Sequence, residues 1–421
     1  MLTGTKTYTD AASLTFYRIG FGLLMAWSMI RFMLKGWVDS VYIEPLFHFK
    51  YFGFTWIPEL GLWTYALFIL AAISALLMAT GRWYKIAATL FFLCFTYIEL
   101  LEKTTYLNHY YFISVLSFIL IFLPANRKGW VPTWSVNALK ILISIVYFYA
   151  GLAKLNSDWL IEAQPLGLWL RSKYDLAPIL QERWVHYLMS YGGAIYDLMI
   201  PFLLWNKKTQ KYALVLVVIF HVLTRILFPI GMFPYIMIFS SLIFLPAQWH
   251  RKILRLGDNT WPLPKPTPRK TWGYYMIAAV LLIQVLLPWR YLAYPGELFW
   301  TEEGFRFSWR VMLMEKSGYT SFKVEHEGGS FMVNNEDFLT SYQIKQMSFQ
   351  PDMILEYAHF LGDHYSEQGF KKVRIFTESY VALNGRRSQQ FIDPNVDLYK
   401  ETETFKPKTW ILPFKDKIYG L

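Results

Sequence analysis

Nine apolar segments of membrane-spanning length constrain the fold of this chain more than any other feature. Each contains about 13–23 predominantly apolar residues, and roughly 20 suffice to cross a bilayer as a helix. The 421-residue chain is 55% hydrophobic and 19% aromatic, which is too apolar for an ordinary soluble domain. The segments are Ala12–Leu34, Leu62–Thr80, Tyr84–Leu101, Tyr106–Pro124, Val136–Leu152, His186–Trp205, Tyr212–Phe228, Phe233–Leu245 and Gly273–Trp289. We therefore predict a multi-span α-helical membrane protein with about nine transmembrane helices, the shortest of which suit re-entrant segments.

The distribution of basic residues predicts the orientation of these helices. The formal net charge is +11, but the basic residues gather in short loops between spans, so no nucleic-acid partner is predicted. With a cytoplasmic N-terminus, the inner segments hold Lys6, Arg82, Lys85, Arg127, Lys128, Lys207, Lys208, Lys211 and residues 251–270. This excess of inner Lys and Arg favours that orientation. An odd number of spans then makes the C-terminal region extracytoplasmic, either periplasmic or luminal, and membrane lipid is the expected surrounding partner.

A change in composition divides the chain into a membrane region, residues 1–293, and an extramembrane region, residues 294–421. The Pro-rich basic stretch 259–271 is predicted to be an extended inner loop before the last span. In the extramembrane region, WRVMLMEK, SFKVEHE and GSFMVNN are predicted strands. Residues 353–367 have helical apolar spacing, and KVRIFTESYVAL leads into the hairpin-turn pair Asn384-Gly385. We predict a small α+β or mostly β domain.

Lys154 lies where the stretch YFYAGLAKLNSDW, residues 147–159, passes from apolar to polar sequence. A lysine at the end of a transmembrane helix commonly extends its ammonium group to the lipid headgroups. The alternative is an amine that a pocket keeps out of water, so that it is neutral and accepts a proton. Tyr147 would then form part of the pocket wall. Helical spacing alone leaves both interpretations open.

Two further stretches place polar residues at membrane depth. In LLEKTTYLNHYYF, residues 100–112, Glu102 and Lys103 suit a solvated turn, with His109 at the interface. Polar groups at this depth more often face a cavity, however. In that case Asn108 and His109 project inward, and His109 donates or relays a proton.

The third stretch is FHVLTRILFPIGMFPY, residues 220–235. His221 and Arg225 are four residues apart and share one helical face. One interpretation is a helix end with a packing histidine and a snorkelling arginine. The other is a slot for a flat apolar ring, lined by Phe228 and Met232 and ending in a cationic group. The predicted topology places all three stretches at the outer ends of their spans, which favours one pocket facing the extramembrane domain.

The remaining ionisable residues and the single cysteine do not predict a catalytic or metal site. Asp197 is an intramembrane carboxylate that we expect to pair with Arg225 or Arg18. Cys94 is the only cysteine, so an intrachain disulfide and a cysteine-based metal site are both excluded. The histidines of the extramembrane region lack metal-ligand spacing, and no metal is predicted: they are His326, His359 and His364.

The same stretches resemble one known family. CFTYIELLEKTTYLNHYYF, PANRKGW, IVYFYAGLAKLNSDW and FHVLTRILFPIGMFPYIM resemble the vitamin K-dependent gamma-carboxylases, the group with the HTTM membrane domain. In the extramembrane region, GFRFSWRVMLMEK resembles the tryptophan-containing strand of that family. VALNGRRSQQFIDPNVDL and KTWILPF resemble the signature near the end of the shared region. The resemblance spans nearly the whole chain.

The resemblance implies a carbon–carbon lyase that uses reduced vitamin K, or a menaquinol-type hydroquinone, with O2 and CO2 as co-substrates. Epoxidation of the hydroquinone produces a base that removes a γ-proton from a glutamate, and the carbanion adds CO2 to give gamma-carboxyglutamate. Lys154 matches the lysine that deprotonates the hydroquinone, and His109 matches a histidine of the same pocket. A protein or peptide containing Glu is the implied substrate.

The chain departs from the vertebrate members of this family in three respects. They have paired lysines where this chain has Ala153-Lys154, and they have a linking disulfide that a single cysteine excludes. They also continue into a further luminal domain that holds the propeptide of the substrate, whereas this chain stops at Leu421. These departures suit a short bacterial member that couples epoxidation to another acceptor.

Three functions from different classes therefore remain open. The first is a quinol-dependent carboxylase, or a quinol epoxidase without carboxylation. The second is a non-catalytic membrane protein that binds a quinone or lipid and docks a partner. A transporter is the third, which the lack of repeat symmetry between halves disfavours.

Overall fold

The computed structural model describes residues 7–173, 176–264 and 271–420. The first part of the chain is mainly helical. Its elements are β1 (Tyr8–Asp10), α1 (Ala12–Leu34), α2 (Trp63–Thr80), α3 (Tyr84–Leu101), α4 (Asn108–Phe122), β2 (Trp130–Pro132), α5 (Thr133–Leu152), α6 (Ser157–Leu160), α7 (Leu166–Arg171), α8 (Arg183–Trp205), α9 (Gln210–Leu227), α10 (Phe233–Ser241), α11 (Ala247–Ile253) and α12 (Trp272–Leu286).

Seven helices in the described part of the chain are long and apolar enough to cross a membrane: α1, α2, α3, α5, α8, α9 and α12, the last continued as a 3-10 helix to Ala293. Two apolar helices are shorter, α4 and α10, the latter continued to Phe244. All nine lie at the positions predicted from hydropathy. The prediction of a multi-span helical membrane protein is therefore confirmed, and this is an integral membrane protein.

Small residues allow the helices of the bundle to approach closely. A Cβ on Gly22 of α1 would lie 2.5 Å from the backbone oxygen of Ala75 in α2. Helix α2 ends at Thr80 and is followed by Gly81, whose positive φ of 79° suits a glycine. The guanidinium of Arg18 lies against this glycine and donates to the backbone oxygen of Met78 at 2.7 Å. A cation at this position complements the helix dipole, which accounts for an arginine inside the bundle.

The C-terminal part is an α+β domain. Its elements are α13 (Leu298–Thr301), β3 (Lys316–His326), β4 (Gly329–Met332), α14 (Ser341–Met347), α15 (Pro351–Glu367), β5 (Arg374–Leu383) and β6 (Gln389–Gln390). The strands form an antiparallel sheet in the order β4-β3-β5-β6, with Tyr319 opposite Tyr380 in the central pair. Helix α15 packs against β3 and β5, and Phe322, Tyr357 and Ile375 lie in the shared core.

The segment WRVMLMEK, residues 309–316, was predicted to be a strand, and this is wrong for all but Lys316. Phe307, Trp309 and Met312 have left-handed backbone, with φ of 62°, 59° and 52°, which interrupts any regular extended run. The Trp309 ring packs 5.0 Å from the Tyr111 ring of α4. Trp309 therefore packs against the membrane bundle, whereas Leu313 belongs to the hydrophobic cluster of the C-terminal domain. Of the predicted loop 259–271, residues 265–270 lie outside the described residues.

An ionic cluster joins the bundle to the C-terminal domain. Lys103 Nζ lies 2.8 Å from Asp352 and 2.9 Å from Glu356, both in α15. Arg306 pairs with the same Asp352 at 2.6 Å. Glu102 accepts a hydrogen bond from Gln343 Nε2 at 3.0 Å. The interpretation of Glu102 and Lys103 as a solvated turn is therefore wrong: both side chains are buried because the C-terminal domain covers them.

Candidate active site

Lys154 forms a buried ion pair with Asp197 within the helical bundle. Its Nζ lies 2.7 Å from Asp197 Oδ2 and donates to the backbone oxygen of Ala150 at 3.1 Å. Both residues are nearly inaccessible to solvent, with Lys154 6% and Asp197 4% exposed. Lys154 therefore does not extend to the headgroups. The prediction that Asp197 pairs with Arg225 or Arg18 is wrong, because α8 presents this carboxylate to the end of α5.

A glycine makes this pairing possible. Gly151 lies in the last turn of α5, and a Cβ there would lie 2.6 Å from the backbone nitrogen of Leu198 in α8. The two helices thus approach with no side chain between them. Asp197 directly precedes Leu198, and Lys154 follows Gly151 by three residues, so the close approach brings amine and carboxylate together. A larger residue at 151 would separate them.

The ion pair borders an apolar cavity. Lys154 and Asp197 are its charged lining residues in the described part of the chain, and the walls are mostly aromatic, aliphatic and methionine side chains. The other lining residues are Val146, Tyr147, Ala150, Trp159, Leu166, Trp169, Met189, Gly193, Phe220, His221, Thr224, Phe228, Ile230, Phe233, Met237, Val311 and Met312. Helices α5, α8, α9 and α10 form the sides, and the C-terminal domain contributes Val311 and Met312.

His221 borders the same cavity on α9. Its Nε2 shares a hydrogen bond of 2.8 Å with the hydroxyl of Tyr147, and that hydroxyl also lies 3.4 Å from Ser241 Oγ. The His221 Nδ1 atom is buried and has no hydrogen-bond partner among the described residues. Buried imidazole nitrogens are normally satisfied. The described residues of the protein leave the Nδ1 atom without a partner, while Tyr147 fixes the other side of the imidazole.

A loop between α5 and α8 closes one side of the cavity. Trp159 stacks near the amine, with Lys154 Nζ 5.2 Å from the indole centroid. The indole Nε1 donates to the Ser190 backbone oxygen at 2.8 Å. The adjacent Asp158 is fixed by the C-terminal domain, because Arg386 forms two hydrogen bonds of 2.6 and 2.7 Å with its carboxylate. Asn384 donates a third, at 2.7 Å. Asn384 of the predicted hairpin pair and the nearby Arg386 thus fix this wall of the cavity.

The structure places the predicted site residues in two groups. Lys154, Tyr147, His221 and Phe228 line the cavity. The second group does not line it: it comprises His109, Asn108, Arg225 and Met232.

Each member of the second group has a definite location. His109 is buried behind Phe233, whose ring lies 5.7 Å from the His109 ring and 5.8 Å from the His221 ring. Asn108 donates to the Arg310 backbone oxygen at 2.8 Å. Met232 is buried beside Phe233, and Arg225 is exposed on α9. The cavity therefore unites the first stretch, which carries Lys154, with the third, which carries His221. The expectation that the second stretch joins them is wrong, because the Phe233 ring separates His109 from the cavity.

Several cavity residues were not predicted from sequence. Trp159 and Trp169 come from the short helices α6 and α7, while Val311 and Met312 come from the segment that was predicted to be a strand. A signal existed for Asp197, because an intramembrane carboxylate is costly and needs a partner. No periodic pattern marks the loop residues, since their placement depends on the Asp158–Arg386 contact.

This arrangement can accept and hold a proton away from bulk water. A proton that reaches the pair can reside on the amine or on the carboxylate, because 2.7 Å is a short hydrogen-bonding distance. An apolar ring with oxygen substituents would meet hydrophobic walls, the amine at one side and the free His221 Nδ1 at another. The pocket is thus suited to an apolar aromatic ligand with ionisable hydroxyl groups.

Two family models match this chain. The HTTM domain model matches residues 7–249, more than half of the chain. The model of the vitamin K-dependent gamma-carboxylase lumenal domain matches residues 269–417. No solved structure matches the chain. The two domain matches together cover the bundle with its Lys154–Asp197 pair and the domain that closes the cavity, and the chain belongs to the vitamin K-dependent gamma-carboxylase family.

Proposed function

We propose that this protein is a quinol-dependent gamma-glutamyl carboxylase that acts at the cavity beside Lys154. One observation carries the proposal: a buried amine–carboxylate pair borders an apolar, aromatic cavity in a member of this family. A reduced vitamin K or menaquinol-type hydroquinone bound there would be oxidised by O2 to its epoxide and would supply the base that removes a glutamyl γ-proton before CO2 adds.

The residues present fit such a ring. Phe228, Phe233 and Met237 offer flat or polarisable apolar contacts. The unpartnered His221 Nδ1 offers a hydrogen bond to a ring oxygen, and Tyr147 holds the other nitrogen of this imidazole. A hydroquinone with a long apolar tail partitions into the bilayer, so a cavity within a helical bundle is accessible to it.

In this proposal Lys154 accepts the hydroquinone proton when Asp197 holds the proton of the pair, since the amine is neutral only in that state. Asp197 orients the amine and shares the accepted proton, so the pair acts as one base. Because the cavity walls exclude water, a proton held there is not exchanged freely with bulk solvent. Trp159 covers the amine and completes the exclusion. We further propose that the C-terminal domain is extracytoplasmic and that its side of the cavity receives the glutamyl substrate.

Epoxide formation tests the first half of the proposal. Purified protein in nanodiscs, given vitamin K hydroquinone and O2, is expected to form the epoxide, while Lys154→Ala loses it. The matched control is Lys140→Ala in α5, the helix that ends two residues before Lys154. The Lys140 Nζ atom packs 5.6 Å from the Trp205 ring, and Lys140 does not line the cavity. Absence of epoxide from folded wild-type protein would overturn the enzymatic proposal.

Incorporation of labelled CO2 tests the proposed carboxylation of glutamate. With short Glu-containing peptides present, label is expected in the peptide and absent when Gln replaces Glu. Epoxide without labelled peptide would identify a quinol epoxidase instead, and the glutamyl part of the proposal would be wrong.

A further inference from the structure

A short segment of the C-terminal domain, residues 418–420, lies directly against the turn that follows α5, residues 153–157. The backbone nitrogen of Ser157 donates to the Tyr419 backbone oxygen at 2.7 Å. The Tyr419 nitrogen donates in return to Ser157 Oγ at 2.9 Å. These two hydrogen bonds join positions that are 262 residues apart in the sequence. Folding therefore brings a distant part of the chain onto the turn that carries Lys154.

The turn that carries Lys154 is also fixed from within by Asn156. The Asn156 Nδ2 atom donates to the Ala153 backbone oxygen at 2.9 Å, and its Oδ1 atom accepts from the Trp159 backbone nitrogen at 3.0 Å. The residue is buried, with an exposed fraction of 4%. Its side chain thus ties the residue before Lys154 to the indole that covers the amine. A shift of the Asn156 backbone would move both.

Gly420 allows the segment 418–420 to approach this turn. It pairs with Asn156 in an antiparallel bridge, and its φ of 108° is one that other residues rarely adopt. A Cβ on Gly420 would collide with the backbone oxygen of Leu155 and would lie 2.8 Å from the Asn156 Cα atom. Ile418 packs against the hydrophobic cluster of the C-terminal domain and anchors the segment there. A larger residue at 420 would therefore push the two backbones apart.

A polar cavity lies on the other side of the turn from the apolar cavity. Asn156 and Gly420 line it, together with Glu297 and Arg310. A cavity with charged and polar walls can hold water, whereas an apolar cavity stays dry. The turn therefore has a polar cavity at Asn156 and the apolar cavity at Lys154.

We propose that residues 418–420 are a positioning segment for Lys154: they hold the turn in place and keep water of the polar cavity away from the Lys154–Asp197 pair. Water at the pair would favour a charged amine and a charged carboxylate, because hydration stabilises charge. The segment thus favours the state in which Asp197 holds the proton and the amine is neutral. This effect on proton acceptance rests on the proposed function, whereas the hold on the turn does not.

Deuterium exchange of the backbone amides tests the hold on the turn without any turnover. The full chain in nanodiscs is compared as wild type, Gly420→Ala and the matched control Gly369→Ala. Gly369 also has a positive φ, of 94°, but has no atom within 4 Å of an added Cβ. Gly420→Ala is expected to speed exchange in residues 155–159 by about tenfold or more, since the loss of fixed contacts promotes local opening. Gly369→Ala is expected to leave this exchange unchanged.

Steady-state epoxidation tests the consequence for the amine. Gly420→Ala is expected to lower kcat by about tenfold, part of the 10²–10⁴-fold contribution of a general base. The KM for hydroquinone should change by less than about twofold, because Phe228 and Phe233 remain in the cavity wall. A general loosening of the cavity would raise KM instead. Ser157→Ala removes one of the two hydrogen bonds with Tyr419 and should give a smaller change in the same direction.

The two measurements separate the possible failures. Unchanged exchange in Gly420→Ala would overturn the proposed hold on the turn. Faster exchange with wild-type kcat, or a rise in KM without a fall in kcat, would overturn the positioning of Lys154. If wild type forms no epoxide, the proposed function fails, and the exchange result still decides whether the segment holds the turn. If Gly420→Ala does not fold, Ser157→Ala is judged by the same criteria.

Discussion

Buried charged groups have fewer partners within the helical bundle than at its interface with the C-terminal domain. Within the bundle, Lys154 and Asp197 have only each other as charged partners among the residues that the structure describes, and an apolar cavity lies beside them. At the interface, Lys103 contacts two carboxylates, and Asp352 contacts two cations. Asp158 likewise accepts from both Arg386 and Asn384. The interface charges are saturated by protein groups, while the bundle pair keeps one side open to a ligand.

This difference separates structural charges from reactive ones. A saturated cluster resists the addition or loss of a proton, because each change breaks several contacts. A single pair beside a cavity can change its protonation state with only a ligand to compensate. We therefore expect substitutions in the bundle pair to affect both chemistry and stability, and substitutions at the interface to act mainly through stability.

The largest effect is expected at the bundle pair. Lys154→Met should lower epoxide formation by about 10²–10⁴-fold, the usual contribution of a general base. It should also cost about 3–5 kcal/mol of unfolding free energy, because Asp197 stays buried without a partner. The double variant Lys154→Met/Asp197→Asn should regain much of this stability without regaining activity. Kinetic assays and thermal unfolding in nanodiscs measure both; recovery of activity in the double variant would contradict the assigned role.

The second-largest effect is expected at Asp158, whose hydrogen bonds with Arg386 and Asn384 fix one wall of the cavity. Asp158→Asn should cost about 3–5 kcal/mol, because Arg386 and Asn384 lose their shared carboxylate. The loosened loop should also raise the KM for hydroquinone more than it lowers kcat, since Trp159 and Trp169 line the cavity. Glu162→Gln, an exposed position of the same loop, is the control. An unchanged thermal midpoint for Asp158→Asn would contradict the stabilising role of these hydrogen bonds.

A smaller effect, with a pH signature, is expected at Asp352. Burial alone would raise the pKa of this carboxyl, but the Arg306 and Lys103 cations outweigh burial and hold it well below its usual range. A depressed folded pKa gives stability that is fully present above the unfolded value of about 3.9 and is lost as pH falls towards the folded value. Asp352→Asn should therefore cost about 1.5–3 kcal/mol near neutral pH.

The comparison of wild type with Asp352→Asn from pH 7 to pH 3 checks this sign. The difference in thermal midpoint should stay constant down to about pH 4 and shrink below it. A difference that shrinks between pH 7 and pH 5 would show that another group titrates there. Asp363→Asn, in the exposed part of the same helix, controls for the loss of any carboxylate.

The smallest effect is expected at Arg225. Because its side chain is exposed on α9 and does not line the cavity, Arg225→Gln should change epoxide formation by less than about twofold. His221→Gln on the same helix should change it more, through the loss of the free Nδ1. A large loss in Arg225→Gln would restore the sequence-based prediction that this arginine binds the ring.

Much of the fold could be predicted because hydropathy and periodicity are local properties. All nine apolar helices and α15 appear where their patterns placed them. The segment around Trp309 was predicted wrongly because its alternation of large apolar residues resembles a strand. In the structure those residues fill a gap between two domains. Local patterns report that a residue will be buried but do not specify which surface buries it.

At the candidate site, too, the sequence predicted some features and only the structure showed the others. The position of Lys154 at the end of an apolar run made it a candidate proton acceptor, and the family resemblance implied its role in deprotonating the hydroquinone. Its partner was assigned wrongly, since several intramembrane arginines were equally plausible from sequence. The contact of Gly151 with α8 decided the pairing. Such a contact depends on how two distant helices cross, which neither helix encodes alone.

The amino-acid sequence by itself determined that this chain enters a membrane with many helices, carries an α+β domain after them, and resembles one enzyme family. Only the tertiary structure decided that Asp197 pairs with Lys154 and that Glu102 and Lys103 anchor the C-terminal domain. The physical reason is that helix formation follows from neighbouring residues, whereas compensation of a buried charge requires groups that folding brings together from far apart.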